Sequence, residues 1–206
     1  MSETNIFYSA HEEEKIINKY LDKNPDIDIG TYIDIGAGDP TEGNNTYYYY
    51  LRGWSGILVE PYPTLITRIP NARPNDIFEP IAISNHDGTV EMCDSAAVPS
   101  FLGQIYKRDW PTKSRKVPCL TIDSLIKKYP QYSNPDFVSI DVETYEDKVL
   151  STTNFIIFTP KIIIIEYRVR GCDYRKNWEH YLLPYYEFKE IIGANAVYTR
   201  KKDVVK

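Results

Sequence analysis

Short apolar runs alternate along the chain with amphipathic stretches. TYIDI (31–35), GILVE (56–60), FVSID (137–141) and KIIIIEY (161–167) are rich in β-branched residues at successive positions. That is the texture of strands buried on both faces. Between them lie helical patterns. Ser9 to Asn24 puts Ile16, Ile17, Tyr20 and Leu21 on one side. Ser9 and Glu12 there have the spacing of a capping box, and Glu12 to Glu14 read as a solvated acidic face. A helix from about Thr46 stops at Gly53, and one through Leu65 and Ile66 ends near Pro70. Further helices are expected after VPCLTIDSLI, stopping before Pro130, near Glu146 to Leu150, and over 173–183. IFEPIAIS (77–84) and TVEM (89–92) read as strands flanking an Asp87-Gly88 turn. EFKEIIG (187–193) and AVYTRK (196–201) read as a closing antiparallel hairpin. Residues 94–116 lack periodicity and read as an inserted loop or short helix.

Buried strands alternating with helices imply an α/β fold, a mostly parallel twisted sheet with helices on both faces. Such sheets bind ligands at the carboxyl ends of their strands. The chemistry is therefore expected just after Ile35, Val59, Ile83, Ile140 and Ile165. A length of 206 residues suits one domain. Residues 1–29 form its N-terminal helical extension, and 94–116 and 168–184 its inserted substrate-side loops. No apolar run approaches the ~20 residues a membrane-spanning helix needs. The start, MSETNIFYSAHEEE, has no apolar signal region. Cys93, Cys119 and Cys172 are too scattered for a zinc site or a disulfide framework. These features lead us to expect a cytoplasmic protein with idle thiols. With 24 basic and 29 acidic residues, net −5, the chain is no general nucleic-acid binder.

Asp34-Ile-Gly36-Ala-Gly38-Asp39 follows a strand and precedes a helix, so its glycines let the backbone turn tightly beside a ligand. Glu60 ends the next strand, where an acid accepts hydrogen bonds from the ribose hydroxyls of an adenosine cofactor. A dinucleotide would want a third glycine where Thr41 stands, and an electropositive cradle. Residues 24–51 contain no lysine or arginine, but they do contain Asp26, Asp28, Asp34, Asp39 and Glu42. Unit charges 4 Å apart interact by ~1 to 4 kcal/mol in wet surroundings, so this loop opposes a diphosphate and favours the ammonium and sulfonium of S-adenosylmethionine.

These residues resemble the FkbM-type methyltransferases. The family segment IGA-x-DG-x-x-x-SNT-x-x-x-E-x-x-x-GW-x-G-x-L-x-EP-x-P is similar to IGAGDPTEGNNTYYYYLRGWSGILVEPYP here, with GWSGILVEPYP (53–63) nearly intact. Ala82-Ile83-Ser84, Asp87-Gly88, the stretch from Ser139 through Asp141, Glu143, Thr144 and Glu146 to Leu150, and IIIIE ending in Glu166 follow in family order. Pro40, Asn44 and Thr144 depart from a usual glycine, serine and glycine. The resemblance covers about residues 30–170.

The resemblance implies a Rossmann-like class I methyltransferase fold, S-adenosylmethionine as donor, and O-methylation of a hydroxyl on a sugar or polyketide-like metabolite. On that plan Asp34, Gly36 and Gly38 wall the methionine and ribose site. Asn45 and Thr46 open the adjacent helix toward the methionine carboxylate, with simple N-capping as their other reading. Glu60 takes the ribose diol, and Ile81 and Ala82 wall the adenine. Asp141 or Glu143 serves as base, and Glu166 orients the acceptor; no metal is expected. Apart from the resemblance, the basic loop is read as a lid over the acceptor, with Arg115 and Lys116 meeting its acidic groups. His11, His86 and His180 lie outside the motifs and are read as surface or packed side chains. Two alternatives remain open. One is an RNA ribose methyltransferase, resting on Lys107 to Lys116, Arg168, Arg170, Arg175 and Lys176. The other is a non-catalytic donor-binding module, resting on Thr144 and Pro40.

Overall fold

A computed structural model describes residues 7–94, 100–101 and 113–203. The chain begins with α1 (Glu13–Tyr20), β1 (Thr31–Ile35), α2 (Tyr47–Tyr50), β2 (Ser55–Val59), α3 (Arg68–Ala72) and β3 (Ile77–Glu79). It continues through β4 (Ala82–Ile83), β5 (Gly88–Asp94), β6 (Ser100–Phe101), β7 (Lys113–Leu120), α4 (Ile122–Lys128) and β8 (Phe137–Ile140). Then come α5 (Glu146–Ser151), β9 (Ile162–Glu166), β10 (Arg168–Val169), β11 (Cys172–Asp173), α6 (Arg175–Leu182), β12 (Tyr186–Ile192) and β13 (Asn195–Arg200). The central sheet has seven strands in the order β12-β13-β9-β8-β1-β2-β3. The run from β3 to β9 is parallel, and the β12–β13 hairpin joins β9 antiparallel. This is the Rossmann-like arrangement with its expected C-terminal hairpin.

The two faces follow from period-two alternation. Ile33, Ile35, Val138, Ile140, Ile163 and Ile165 pack with α4, α5 and α6. Tyr32, Phe137, Ile162 and Ile164 face the other way, against Ile17 of α1, Tyr48 and Tyr49 of α2, Trp54 and Ile69 of α3. Chain order reverses between β1 and β8, since β2 and β3 build outward on one side and β9 on the other. That reversal is the topological switch point, where a crevice opens at the carboxyl ends.

Four local expectations change. Helix α1 starts at Glu13, and its box is shifted. Ser9 Oγ accepts from Glu13 N–H at 2.8 Å, while Glu14 accepts from Tyr8 N–H, Ser9 N–H and the Ser9 hydroxyl. Glu13 and Glu14 are therefore buried, not solvated. Pro70 lies inside α3, in the first turn, where no helical partner awaits its missing N–H. The run 77–84 breaks at Pro80 into β3 of the main sheet and β4 of a second, four-stranded sheet ordered β4-β7-β5-β6. Finally, residues 113–116 of the expected loop belong to β7, where Val117 and Cys119 turn inward and Lys116 and Pro118 outward. Residues 95–99 and 102–112 of that loop, Lys107 and Arg108 among them, lie outside the described residues. No helix of the described residues is long and apolar enough to cross a membrane.

Candidate functional site

Strand register assembles the site. Ile35 pairs with Val59 on one side and Ile140 on the other, and Ile140 pairs with Ile165. The next residue of each strand is therefore level with its neighbours, so Glu60, Gly36, Asp141 and Glu166 stand in a row. Gly36 N–H donates to Val59 O at 2.9 Å, and Asp141 N–H to Ile35 O at 2.9 Å. A Cβ on Gly36, at φ 80°, would stand 1.7 Å from the Asp141 carbonyl oxygen. No other residue fits where the first loop crosses the end of β8.

A cleft of about 280 Å³ opens above this row. Gly36, Gly38 and Glu60 line one side, Asp141 and Glu143 another, and Ile81, Ala82, Ile83 and Met92 form an apolar wall. Pro61, Tyr62 and Leu65 complete it. The wall comes from the second sheet and from the turn after β2; the broken strand 77–84 is what delivers Ile81 and Ala82 to it. Glu60 is fixed in place: Oε2 accepts from Gly38 N–H at 3.0 Å and Oε1 from Tyr62 N–H at 2.8 Å. Burial raises its pKa against these two bonds.

The first loop is held from beneath by an arginine that its own sequence lacks. Arg73 is fully buried. Its guanidinium pairs with Asp76 at 2.8 Å and donates to Tyr32 Oη, Thr46 Oγ1, Pro40 O and Asn44 Oδ1 at 2.8 to 3.3 Å. Asp34 sits in the same network, accepting from Asn44 Nδ2 at 3.1 Å and Thr46 Oγ1 at 2.9 Å. Burial still pushes its pKa up to about 6. Asp39 pairs with Arg68 and Asp26 with Arg52. The negative bias read into the loop is thus largely compensated, and the uncompensated acids lie across the cleft at β8 and β9.

Asp141 is exposed at the cleft, and its carboxyl is nonetheless crowded by the surrounding protein. Burial raises its pKa, while hydrogen bonds from the Glu166 carboxyl and Glu143 N–H act against the rise. Two carboxyls in such contact hold a proton between them. Burial and the charges of Asp141, Glu143 and Glu146 raise Glu166 correspondingly, and its buried Oε2 has no hydrogen-bond partner. Burial and Asp141 push Glu143 to about 7. Glu146, in the first turn of α5, accepts from Val142 N–H at 3.2 Å, and burial brings it to about 8. The turn these acids share is strained, with Glu143 at φ 54° and Thr144 at φ 74°. A β-branched residue there is an outlier, and the buried Thr144 Oγ1 has no hydrogen-bond partner.

The expected residues thus fall into two groups. Gly36, Gly38, Glu60, Ile81, Ala82, Asp141 and Glu143 line the cleft, and Glu166 touches Asp141 beside it. Asp34 and Thr46 lie in the buried network, and Asn45 donates to Ser139 Oγ at 3.0 Å without lining the cleft. Arg115 donates to Pro61 O at 2.9 Å, and Arg175 is bound by Asp173. Lys116 is exposed. Among the described residues no group of acids, cysteines and histidines is spaced to hold a metal. Arg73, Tyr62, Leu65, Met92 and the buried Glu13 went unforeseen. Only Glu13 carried a sequence signal, in the run Glu12 to Glu14 after Ser9.

Comparison with known proteins places a match to the methyltransferase FkbM domain over residues 34–193. Two solved structures are similar at low identity. A TehB-like SAM-dependent methyltransferase from Corynebacterium glutamicum has 13% identity and a TM-score of 0.45, over 84% of this chain and 80% of that one. A fibrillarin pre-rRNA processing protein from Methanococcus jannaschii has 12% identity and a TM-score of 0.46, over 87% and 70%. No curated protein matches the sequence.

Proposed function

The chain belongs to the FkbM methyltransferase family, and from that premise we propose that it moves the methyl group of S-adenosylmethionine to a hydroxyl of a sugar or secondary metabolite. The observation that carries this reading is the level row of Gly36, Glu60, Asp141 and Glu166 beneath a cleft whose charged lining, among the described residues, is acidic. The fit to the donor rests on chemistry. Bare glycines give the backbone close approach, a fixed carboxylate suits a diol, an apolar wall suits a base, and acids suit a cation. When bound, S-adenosylmethionine supplies an electrophilic methyl carbon next to a positive sulfur.

Glu60, held by two loop amides, accepts from the ribose hydroxyls. Ile81 and Ala82 cover the adenine. Asp34, Asn45 and Thr46 act one layer out, shaping the loop that carries Gly36 and Gly38. Asp141 or Glu143 takes the acceptor's proton, which is worth ~10²- to 10⁴-fold in rate. Glu166 orients the acceptor through its contact with Asp141. Alignment of the acceptor against the donor contributes the rest, as reacting atoms held about 3 to 3.5 Å apart need no further encounter.

The test is transfer of labelled methyl from S-adenosylmethionine to a panel of hydroxylated sugars and metabolites. The expected product is a base-stable methyl ether. Label found only on nitrogen, on a carboxyl group or on RNA overturns the assignment of a sugar or metabolite hydroxyl as the acceptor.

A further inference from the structure

The charged side chains that line the cleft are Glu60, Asp141 and Glu143, with Glu166 bonded to Asp141 just behind them. Among the described residues, no lysine, arginine or histidine lines the cleft. The groups facing the cluster from its surroundings are also mostly acidic. Asp34 and Glu60 face it from β1 and β2, Glu146 from α5, and Glu13 from α1. The cations are committed elsewhere. Arg73 serves Asp34 and Asp76, and Arg115 lies toward Glu60 with its guanidinium on Pro61 O. Carboxyls packed this closely cannot all ionise, and a hydrogen bond between the Asp141 and Glu166 carboxyls requires a proton. Near neutral pH the cleft therefore stores protons, and an entering positive charge displaces them.

We infer that the Asp141–Glu143–Glu166 cluster gives up a proton when it receives a cationic ligand, so that donor binding itself ionises the base. This rests on S-adenosylmethionine being the donor. The consequence is a cycle level in charge. A proton leaves to solvent as the positive donor enters. At transfer the cluster takes the acceptor's proton, and the donor's positive charge is lost. The neutral product S-adenosylhomocysteine then meets a reprotonated cluster, less negative by one charge, and is held less tightly than the donor. The base is ready only when the donor is present, which favours donor-first binding.

The test is calorimetric titration of the full chain with S-adenosylmethionine and with S-adenosylhomocysteine, in buffers of different ionisation enthalpy. Both ligands carry the same amino-acid end, so the difference between them isolates the sulfonium. At pH 6.5 the donor is expected to release about half a proton to one proton more than the product. From pH 5.5 to 7 its affinity should rise by up to about tenfold per pH unit, against less than about twofold for the product. Equal proton release by the two ligands overturns the inference while leaving the cofactor assignment intact. So does an undiminished release in the Glu143→Gln, Glu166→Gln double variant. If neither ligand binds, the donor assignment fails and the inference goes with it.

Discussion

Replacing Arg73 by methionine tests the network that shapes the first loop. The guanidinium and the Asp76 carboxylate are both fully buried, 2.8 Å apart. Methionine fills much of the stem's volume but removes the charge and every donor. Asp76 is then left buried opposite nothing, and burial already raises its pKa against the pull of Arg73. Tyr32 Oη, Pro40 O, Asn44 Oδ1 and Thr46 Oγ1 each lose a donor as well. Breaking a buried pair from one side costs about 3 to 5 kcal/mol. At about 2 to 4 °C per kcal/mol for a chain of this size, Tm should fall by roughly 6 to 20 °C. Urea unfolding followed by circular dichroism measures the loss. The Lys15→Met variant, which breaks an exposed pair with Glu12, is the control and should stay within about 0.5 kcal/mol. A loss below about 1 kcal/mol for Arg73→Met would refute the claim that this arginine organises the loop.

Three further outcomes follow from the site. Thr144→Gly relieves a β-branched residue at φ 74° and should stabilise the fold by about 1 kcal/mol in chemical unfolding, with no stabilisation counting against strain at that turn. Carboxyls raised on folding bind protons more tightly folded than unfolded, so their contribution is whole below the ordinary glutamate range and fades as pH rises through the folded values. With Glu143 near 7 and Glu146 near 8, Tm should decline from about pH 5 to pH 9, and Glu146→Gln should flatten that decline; a Tm that rises over this window contradicts the sign. Asp141→Asn should lower kcat by at least ~10²-fold at saturating donor on any hydroxyl acceptor found, and near-normal turnover would remove Asp141 as the base.

What could be read from the string, and what could not, divides along physical lines. Strands β1, β2, β8 and β9 are continuous apolar runs ending in glycine or an acid, and such runs have one use in an α/β fold. Their carboxyl ends, and hence Gly36, Glu60, Asp141 and Glu166, were legible for that reason. Strand β7 was hidden because its outward positions are Lys116 and Pro118, so its inward pair, Val117 and Cys119, carried too little signal. The acids of α1 looked solvated because charge is usually exposed. Glu13 and Glu14 are buried because the amides of Tyr8, Ser9 and His11, with Asn195, supply their donors. Arg73 is the plainest limit. Its partners at Tyr32, Pro40, Asn44 and Thr46 are distant in sequence, and only packing brings them together. The charge argument for a cationic donor was drawn from the loop, whereas the uncompensated acids are those of β8 and β9.

The central claim is that this cleft takes S-adenosylmethionine through Glu60. Calorimetric titration of the folded Glu60→Ala variant beside the unaltered protein tests it most directly. Charge-assisted hydrogen bonds are worth about 1.5 to 3 kcal/mol each, so losing the pair to the ribose should weaken binding about 100-fold or more. Equal affinity in the two proteins, or no binding by the unaltered one, contradicts the account.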